Sequence, residues 1–227
     1  MVDVLEAIAT TRAIRRYTDE AVTDAQLQQV LFAATRAPSG SNRQPVRFVV
    51  LRDSKAARQA KQLIAGSAQA FWADKRHADG YDRGSGSDAD SPKARMARTM
   101  EAFVDNFAHV PVVILPCFVR YRPAWSGEGA SIYPACQNLL LGARAVGLGG
   151  VLTHWHEPVA DELRELLAMP DEVVIAATIA MGHPAGSHGP VRRRPMAEVV
   201  FEDAWDSPPP WALDPPGTRF TSAGPPR

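Results

Sequence analysis

The stretch APSGSNRQPVRFVVLR, residues 37–52, joins two kinds of periodicity. Behind it, Leu27, Val30, Leu31 and Ala34 stand at i, i+3, i+4 and i+7. That spacing predicts one apolar face of a helix. Thr23 and Gln26 fit a capping box that opens it. Pro38, Ser39 and Gly40 stop it, because proline and glycine punctuate helices. Ahead, RFVVLR (47–52) is rich in β-branched residues and reads as a buried strand. A helix, a polar turn and a strand thus follow one another within thirty or so residues, the rhythm of a layered domain.

The same reading extends in both directions. Residues 3–11 predict a short helix, followed by the basic segment TRAIRRY (11–17). Residues 54–70 predict a helix. From about Ala73 to Pro92 the chain turns polar and rich in Gly, Ser and Asp, which predicts a loop or mobile lid. A helix returns at about 93–108, and VPVVILPCFV (110–119) reads as a strong strand. Residues 120–130 form a loop containing Trp125. Ser131 opens a long helix with Ile132, Cys136, Leu139, Leu140 and Ala143 on its apolar face, and Gly147 and Gly149 end it. A strand near 150–154, a helix near 158–168 and a strand VVIAATIAMG (173–182) complete the pattern. The alternation predicts one α/β or α+β layered domain over residues 1–205, and a Pro-rich extension follows at 206–227.

Composition bounds the function classes. The 227 residues carry 25 basic and 25 acidic side chains, so no global charge draws the chain to nucleic acid or an anionic membrane. Cys117 and Cys136 are too few for a disulfide framework, and their apolar neighbours predict buried thiols. The N-terminus lacks the pattern of a signal peptide. Stretches 110–119 and 173–181 are too short to span a bilayer, which takes about 20 residues. A soluble cytoplasmic protein is expected.

Several motifs are missing. GLGG (147–150) lacks the third glycine of a dinucleotide fingerprint and follows a helix rather than a strand. No Walker A sequence, nucleophile elbow or C-x-x-C pair is present. His154, His156 and Glu157 could place two imidazoles on one strand face, as a metal site would need, or could simply be a polar strand end.

Three segments say more together than apart. The first is Thr11-Arg12-Ala13-Ile14-Arg15-Arg16-Tyr17. The second runs from Ala37 through Pro38, Ser39, Gly40, Ser41, Asn42, Arg43, Gln44 and Pro45 to Val46. The third is Gly182-His183-Pro184 followed by Arg192-Arg193-Arg194-Pro195-Met196-Ala197-Glu198-Val199-Val200. Singly, they read as a basic helix end, a turn and a solvated arginine run. Their order and spacing resemble the nitroreductase flavoprotein family, with its R-R-S-x-R-x-[FY], P-S-x-x-N-x-Q-P-W and R-x-P-x-x-E-V-V-like segments. YPACQNLLLGARAVGLGG (133–150) is similar to that family's long central helix and the turn after it.

The resemblance implies an α+β fold, with a mixed central sheet flanked by helices in three layers, and an FMN-dependent oxidoreductase. FMN ends in a phosphate near −2 charge, and planar guanidinium groups bind phosphate bidentately. The family's phosphate ligands fall on Arg12, Arg15 and Arg193, with Arg16, Arg194 and the backbone at Ala13 adjacent. Its flavin-contacting turn falls on Pro38, Ser39, Gly40, Asn42 and Gln44. Its ring-edge contacts fall on Leu152, Thr153 and His154. Thr11 stands where the family has arginine, Ala13 where it has serine, and Val46 where it has tryptophan. The first two changes remove polar phosphate contacts. The resemblance further implies a homodimer with FMN between subunits. NADPH or NADH would reduce the flavin, and a nitroaromatic or quinone would reoxidise it by a ping-pong cycle. Phe71, Trp72, Tyr81 and Trp125 are candidates to cover the exposed flavin face, or simply to pack under loops. No protein nucleophile is required, since the cofactor carries the chemistry. Other flavin chemistry on the same scaffold (dehalogenation, flavin fragmentation, azoline oxidation) and non-catalytic flavin binding are the alternatives.

Overall fold

The structure, a computed structural model, describes residues 2–221. Helices α1 (Val4–Thr10), α2 (Asp24–Thr35), α3 (Lys55–Ala78), α4 (Pro92–Asp105), α5 (Gly129–Ala145) and α6 (Ala160–Leu166) alternate with five strands. These are β1 (Val46–Leu51), β2 (Val112–Val119), β3 (Gly149–Thr153), β4 (Val173–Ile175) and β5 (Thr178–Gly182). They form one sheet in the order β1-β2-β5-β3, with β4 also pairing with β2. All of its ladders are antiparallel.

Strand β2 shows why the domain has three layers. Successive strand side chains point to opposite faces. Val113, Leu115 and Cys117 join the core under α3 and α4. Val112, Ile114 and Phe118 join the core under α2 and α5. Both faces of the strand are therefore buried, which accounts for its unbroken apolar run. Burial also pushes the thiols of Cys117 and Cys136 up to about 11 and about 12, so both stay protonated and inert at neutral pH.

Helix α2 starts on the expected capping box. Thr23 Oγ1 accepts from Gln26 N at 3.2 Å, and Gln26 Oε1 accepts from Thr23 N at 3.0 Å. Two other expectations need correcting. The run 173–182 is not one strand. Ile114 pairs with Ile179, and Cys117 pairs with Ile175, so two residues of β2 face three of the partner. That is a bulge, and it lies opposite Pro116, which has no N–H for the ladder.

The polar segment expected as a loop from Ala73 begins later, because α3 continues to Ala78. Trp72 buries one face of this extension, and Lys75 and Arg76 put positive charge in its last turn, where the helix dipole favours it. Gly80, at φ 60°, then turns the chain. The segment that follows is tied down by Tyr81 packing at a tilt on Trp72, ring centroids 5.1 Å apart, and by Arg76 bridging Asp82 and Glu101.

The tail folds back on the chain. Arg193 and Phe220 form a parallel bridge, Asp214 accepts from Met196 N at 3.0 Å, and Ala212 is buried. Residues 222–227 of the expected extension lie outside the described residues.

The basic segment 12–16 is fixed by a close approach. Ile14 is buried, and its N–H donates to Gly150 O at 3.1 Å. A Cβ on Gly149 would sit 2.6 Å from Ile14 Cγ1 and 3.0 Å from its Cβ. Gly149→Ala should therefore destabilise the fold by about 1–3 kcal/mol, the usual cost of overpacking. A urea unfolding midpoint equal to wild type would show that Ile14 is not held this tightly.

Candidate functional site

Ile14 points inward, and the arginines around it point outward. Two clefts meet there. The first, of about 530 Å³, is lined by Arg12, Arg15 and Arg16, by Arg95, Met96 and Thr99 of α4, and by Gly186 and Ser187. The second, of about 610 Å³, is lined by Ser67, Phe71, Trp72 and Lys75 of α3, by Tyr81, Met100 and Trp155, and by Thr153 and His154 at the end of β3. Arg15 and Met96 belong to both, so the clefts are continuous.

Hydrogen bonds hold the basic segment in place without using its guanidinium groups. Thr18 N donates to His183 O at 2.9 Å, and Ala185 N donates to Arg16 O at 3.0 Å. The Tyr17 hydroxyl lies 2.7 Å from Ile14 O and 3.1 Å from Ala180 O. Burial raises the pKa of that phenol, so it remains a donor. Among the described residues no carboxylate makes an ion pair with Arg12, Arg15, Arg16 or Arg95. Burial pulls the pKa of Arg15 down. A partly desolvated cation without a counter-ion is poised to take an anion.

The second cleft offers aromatic walls and polar donors. Ser67 Oγ and Trp72 Nε1 are buried, and among the described residues neither has a hydrogen-bond partner. An unpaired buried donor costs about 1–3 kcal/mol, so a polar ligand edge here would relieve a penalty already present. At the far end the His154 ring lies 3.3 Å from the Tyr133 hydroxyl.

The expected site residues divide. Arg12, Ala13, Arg15 and Arg16 line the first cleft, and Phe71, Tyr81, Thr153 and His154 line the second. Leu152 lines neither cleft. It pairs with Ile179 in the sheet, and its side chain packs against the α2/α5 core. Trp125 also lies outside both clefts, with Arg122 stacked 3.9 Å over its ring.

Arg193 and Arg194 are absent from the cleft linings too. The Arg193 backbone meets Arg219 and Thr221 of the tail, and Arg194 pairs with Glu198 at 3.1 Å. Their strand of chain still passes close by, since Val191 N donates to Ala9 O at 3.2 Å. Arg95 was not singled out from the sequence. In a helical stretch an arginine carries the signature of a solvated face, and no motif marks it.

The turn Pro38–Gln44 lines neither cleft. Ser41, Asn42 and Gln44 have φ of 52°, 52° and 51°. Three non-glycine residues in the left-handed region store strain, and such strain gathers at functional sites. Ser39 Oγ accepts from Gln44 N at 2.9 Å, and Ser131 Oγ accepts from Gly40 N at 3.0 Å. The turn is thus locked, while Ser41, Asn42 and Gln44 stay exposed.

The two histidines near β3 have separate duties. His156 is buried, with Nε2 3.0 Å from Ile175 O and Nδ1 3.1 Å from Thr178 Oγ1. A carbonyl only accepts, so Nε2 carries the proton and Nδ1 accepts from the hydroxyl. Both ring nitrogens are taken, and the shared-imidazole arrangement weighed from the sequence is not formed. Among the described residues no cluster of three or more His, Cys, Asp or Glu could hold a metal ion.

Comparisons with known proteins place the chain in a family and match its fold. The family model described as "Nitroreductase family" matches residues 8–183. An NADH dehydrogenase of Thermus thermophilus is 30% identical over 220 residues, covering 88% of this chain and 96% of the relative. An FMN reductase [NAD(P)H] of Bacillus subtilis is 24% identical, covering 90% and 75%. Among solved structures, a protein of Desulfovibrio desulfuricans in complex with FMN superposes with a TM-score of 0.62 at 31% identity, covering 90% and 99%. An FMN- and NADPH-dependent nitroreductase from Sphigopyxis shares the fold, with a TM-score of 0.66 at 21% identity, covering 90% and 100%.

The buried His156 sets a pH dependence. Burial disfavours its charged form and lowers its pKa below the ordinary 6.5. As pH falls below about 6.5 the unfolded chain binds more protons than the folded one, so stability drops. Above that value the His156 contribution is fully present. The urea midpoint should therefore fall between about pH 7.5 and about pH 5.5, and His156→Gln should show a smaller fall. An equal fall in both proteins would remove His156 as its source.

Proposed function

The chain belongs to the nitroreductase family, and we propose that it is an FMN-dependent NAD(P)H oxidoreductase working as a homodimer in the cytoplasm. The observation that carries this reading is the pair of continuous clefts. One end presents unpaired guanidinium groups, and the other presents aromatic walls with unpartnered donors. That set fits a planar, polar-edged ring ending in a phosphate. Bound there, the flavin would take a hydride from NADPH or NADH and pass reducing equivalents to a nitroaromatic or quinone acceptor.

The chain's own residues then have distinct tasks. Arg12 and Arg15 hold the phosphate, and Arg16 and the backbone at Ala13 flank it. Thr153 and His154 face the edge of the ring. Phe71 and Tyr81 wall the space where nicotinamide and acceptor stack in turn, and Trp72 backs Tyr81. Arg193 and Arg194 approach the phosphate end along the strand of chain that runs beside α1. The strained turn with Pro38, Ser39, Gly40, Asn42 and Gln44 serves the site of the other subunit, since it lines neither cleft of its own. The described residues contain no helix long and apolar enough to cross a membrane.

Two measurements test the reading. The purified protein should take up FMN, show an oxidised-flavin absorbance spectrum and consume NAD(P)H with quinone or nitro acceptors in ping-pong kinetics. A colourless protein that takes up no FMN would refute it, and flavin uptake without turnover would leave a binding protein instead. Arg12→Ala should cost on the order of 1.5–3 kcal/mol of FMN binding, the loss expected for a charged hydrogen bond. Arg193→Ala should cost less, because its backbone is engaged by the tail and its side chain is outside the cleft lining. The reverse ranking would move the clamp to the C-terminal arginines.

A further inference from the structure

Resting on the flavin reading, we infer that Arg95, at the start of α4, is a further phosphate-holding residue, supplying the charge that this chain lacks at Thr11.

The cleft around Arg12 has no acidic side chain in its lining, and Arg95 faces it together with Met96 and Thr99. These three positions lie on one side of the helix, because residues three and four apart are neighbours there. Arg95 is exposed, and its NH1 donates to Asp90 O. A guanidinium has five N–H donors, so one contact of this kind leaves a fork free. No carboxylate among the described residues claims it.

The charge pattern of α4 points the same way. A helix N-terminus favours acidic residues, and basic ones there are unfavourable. The first turn of α4 has no acid, and it carries Lys93 and Arg95. Lys93 is drawn aside, donating to Asp79 O at 2.9 Å and lying 5.4 Å over the Tyr81 ring. Arg95 also meets a backbone carbonyl, Asp90 O, but through NH1 alone, so the rest of its fork is left over. Pro92, at the start of the helix, also lines the cleft, so the positive end of the dipole and the Arg95 side chain serve the same space. A dianion in the cleft turns this local repulsion into attraction.

The family's arginine and serine are Thr11 and Ala13 here, and Thr11 Oγ1 is buried with no partner among the described residues. Arg95 makes good that loss from a different element, across the cleft from Arg12.

The test separates the phosphate from the ring. Apo-protein is titrated with FMN and with riboflavin, which lacks the phosphate, following flavin fluorescence. Arg95→Ala should weaken FMN by on the order of tenfold and leave riboflavin unchanged, and Arg95→Lys should fall between. Its FMN affinity should also depend less on salt than wild type. FMN binding equal to wild type overturns the assignment, as does an equal loss for both flavins. A raised KM for NADPH with FMN binding unchanged overturns it too, in favour of a nicotinamide phosphate. Should Arg95→Ala fold poorly by circular dichroism, Arg95→Gln carries the same comparison. A wild type that binds neither flavin refutes the flavin reading itself, whereas a wild type that binds FMN beside an equally tight variant refutes only Arg95.

Discussion

The contact between Ile14 and Gly149 is what allows the N-terminal arginines to form a site. A segment as basic as TRAIRRY would ordinarily extend into water. Here one apolar residue in its middle is drawn under the sheet edge, against a strand start that has no side chain to refuse it. The Ile14 N–H bond to Gly150 sets the depth, and the Tyr17 hydroxyl sets the register at the other end. Between these anchors the backbone is fixed at Arg15 and Arg16, and Arg12 stands two residues ahead of the first. The position of β3 depends in turn on β5, and that of β5 on β2, so the site inherits the rigidity of the whole sheet.

Rigid placement of unpaired cations costs stability. Like charges along a short segment repel, and Arg15 is partly desolvated as well. The fold carries this cost within a few residues and compensates elsewhere, in two cores on either side of the sheet. It is the usual division between a scaffold and a site. Pairing each arginine with a carboxylate would have been the cheaper arrangement, and elsewhere the chain does so, as with Arg120 and Glu128 at 3.0 Å. The lack of such partners around the cleft is therefore informative, whereas the arginine count alone is not.

The sequence carried most of the layers. Period 3.6 marked α2 and α5, β-branched runs marked β1 and β2, and Thr23 with Gln26 marked a helix start to the residue. What it did not carry were features decided between segments. The bulge separating β4 from β5 arises because Pro116 of another strand withholds an N–H. The extra turns of α3 exist because Trp72 finds Tyr81 and the core, which local polarity gave no reason to expect. The candidate cleft was legible where its residues cluster in sequence, as around Arg12, and illegible where they meet only in space, as with Arg95. Trp125 shows the opposite case. An aromatic in a loop looks like a ligand cover, yet Arg122 and the bare Gly127 account for it by local packing.

The turn Pro38–Gln44 raises a different point. Three side chains are held in a conformation that glycine would adopt more cheaply, so its shape is maintained against a cost. Serine hydroxyls from Ser39 and Ser131 keep it in that shape. Nothing in the two clefts of the same chain uses it, and its polar side chains face solvent. A strained, locked and exposed loop has a use only if something outside the chain reads it. In the proposed dimer that reader is the flavin held by the other subunit. Each subunit would then supply the cationic end and aromatic slot of one site and the amide-rich turn of the other. Assembly would complete the site, and neither copy would have to build all of it from one sheet edge.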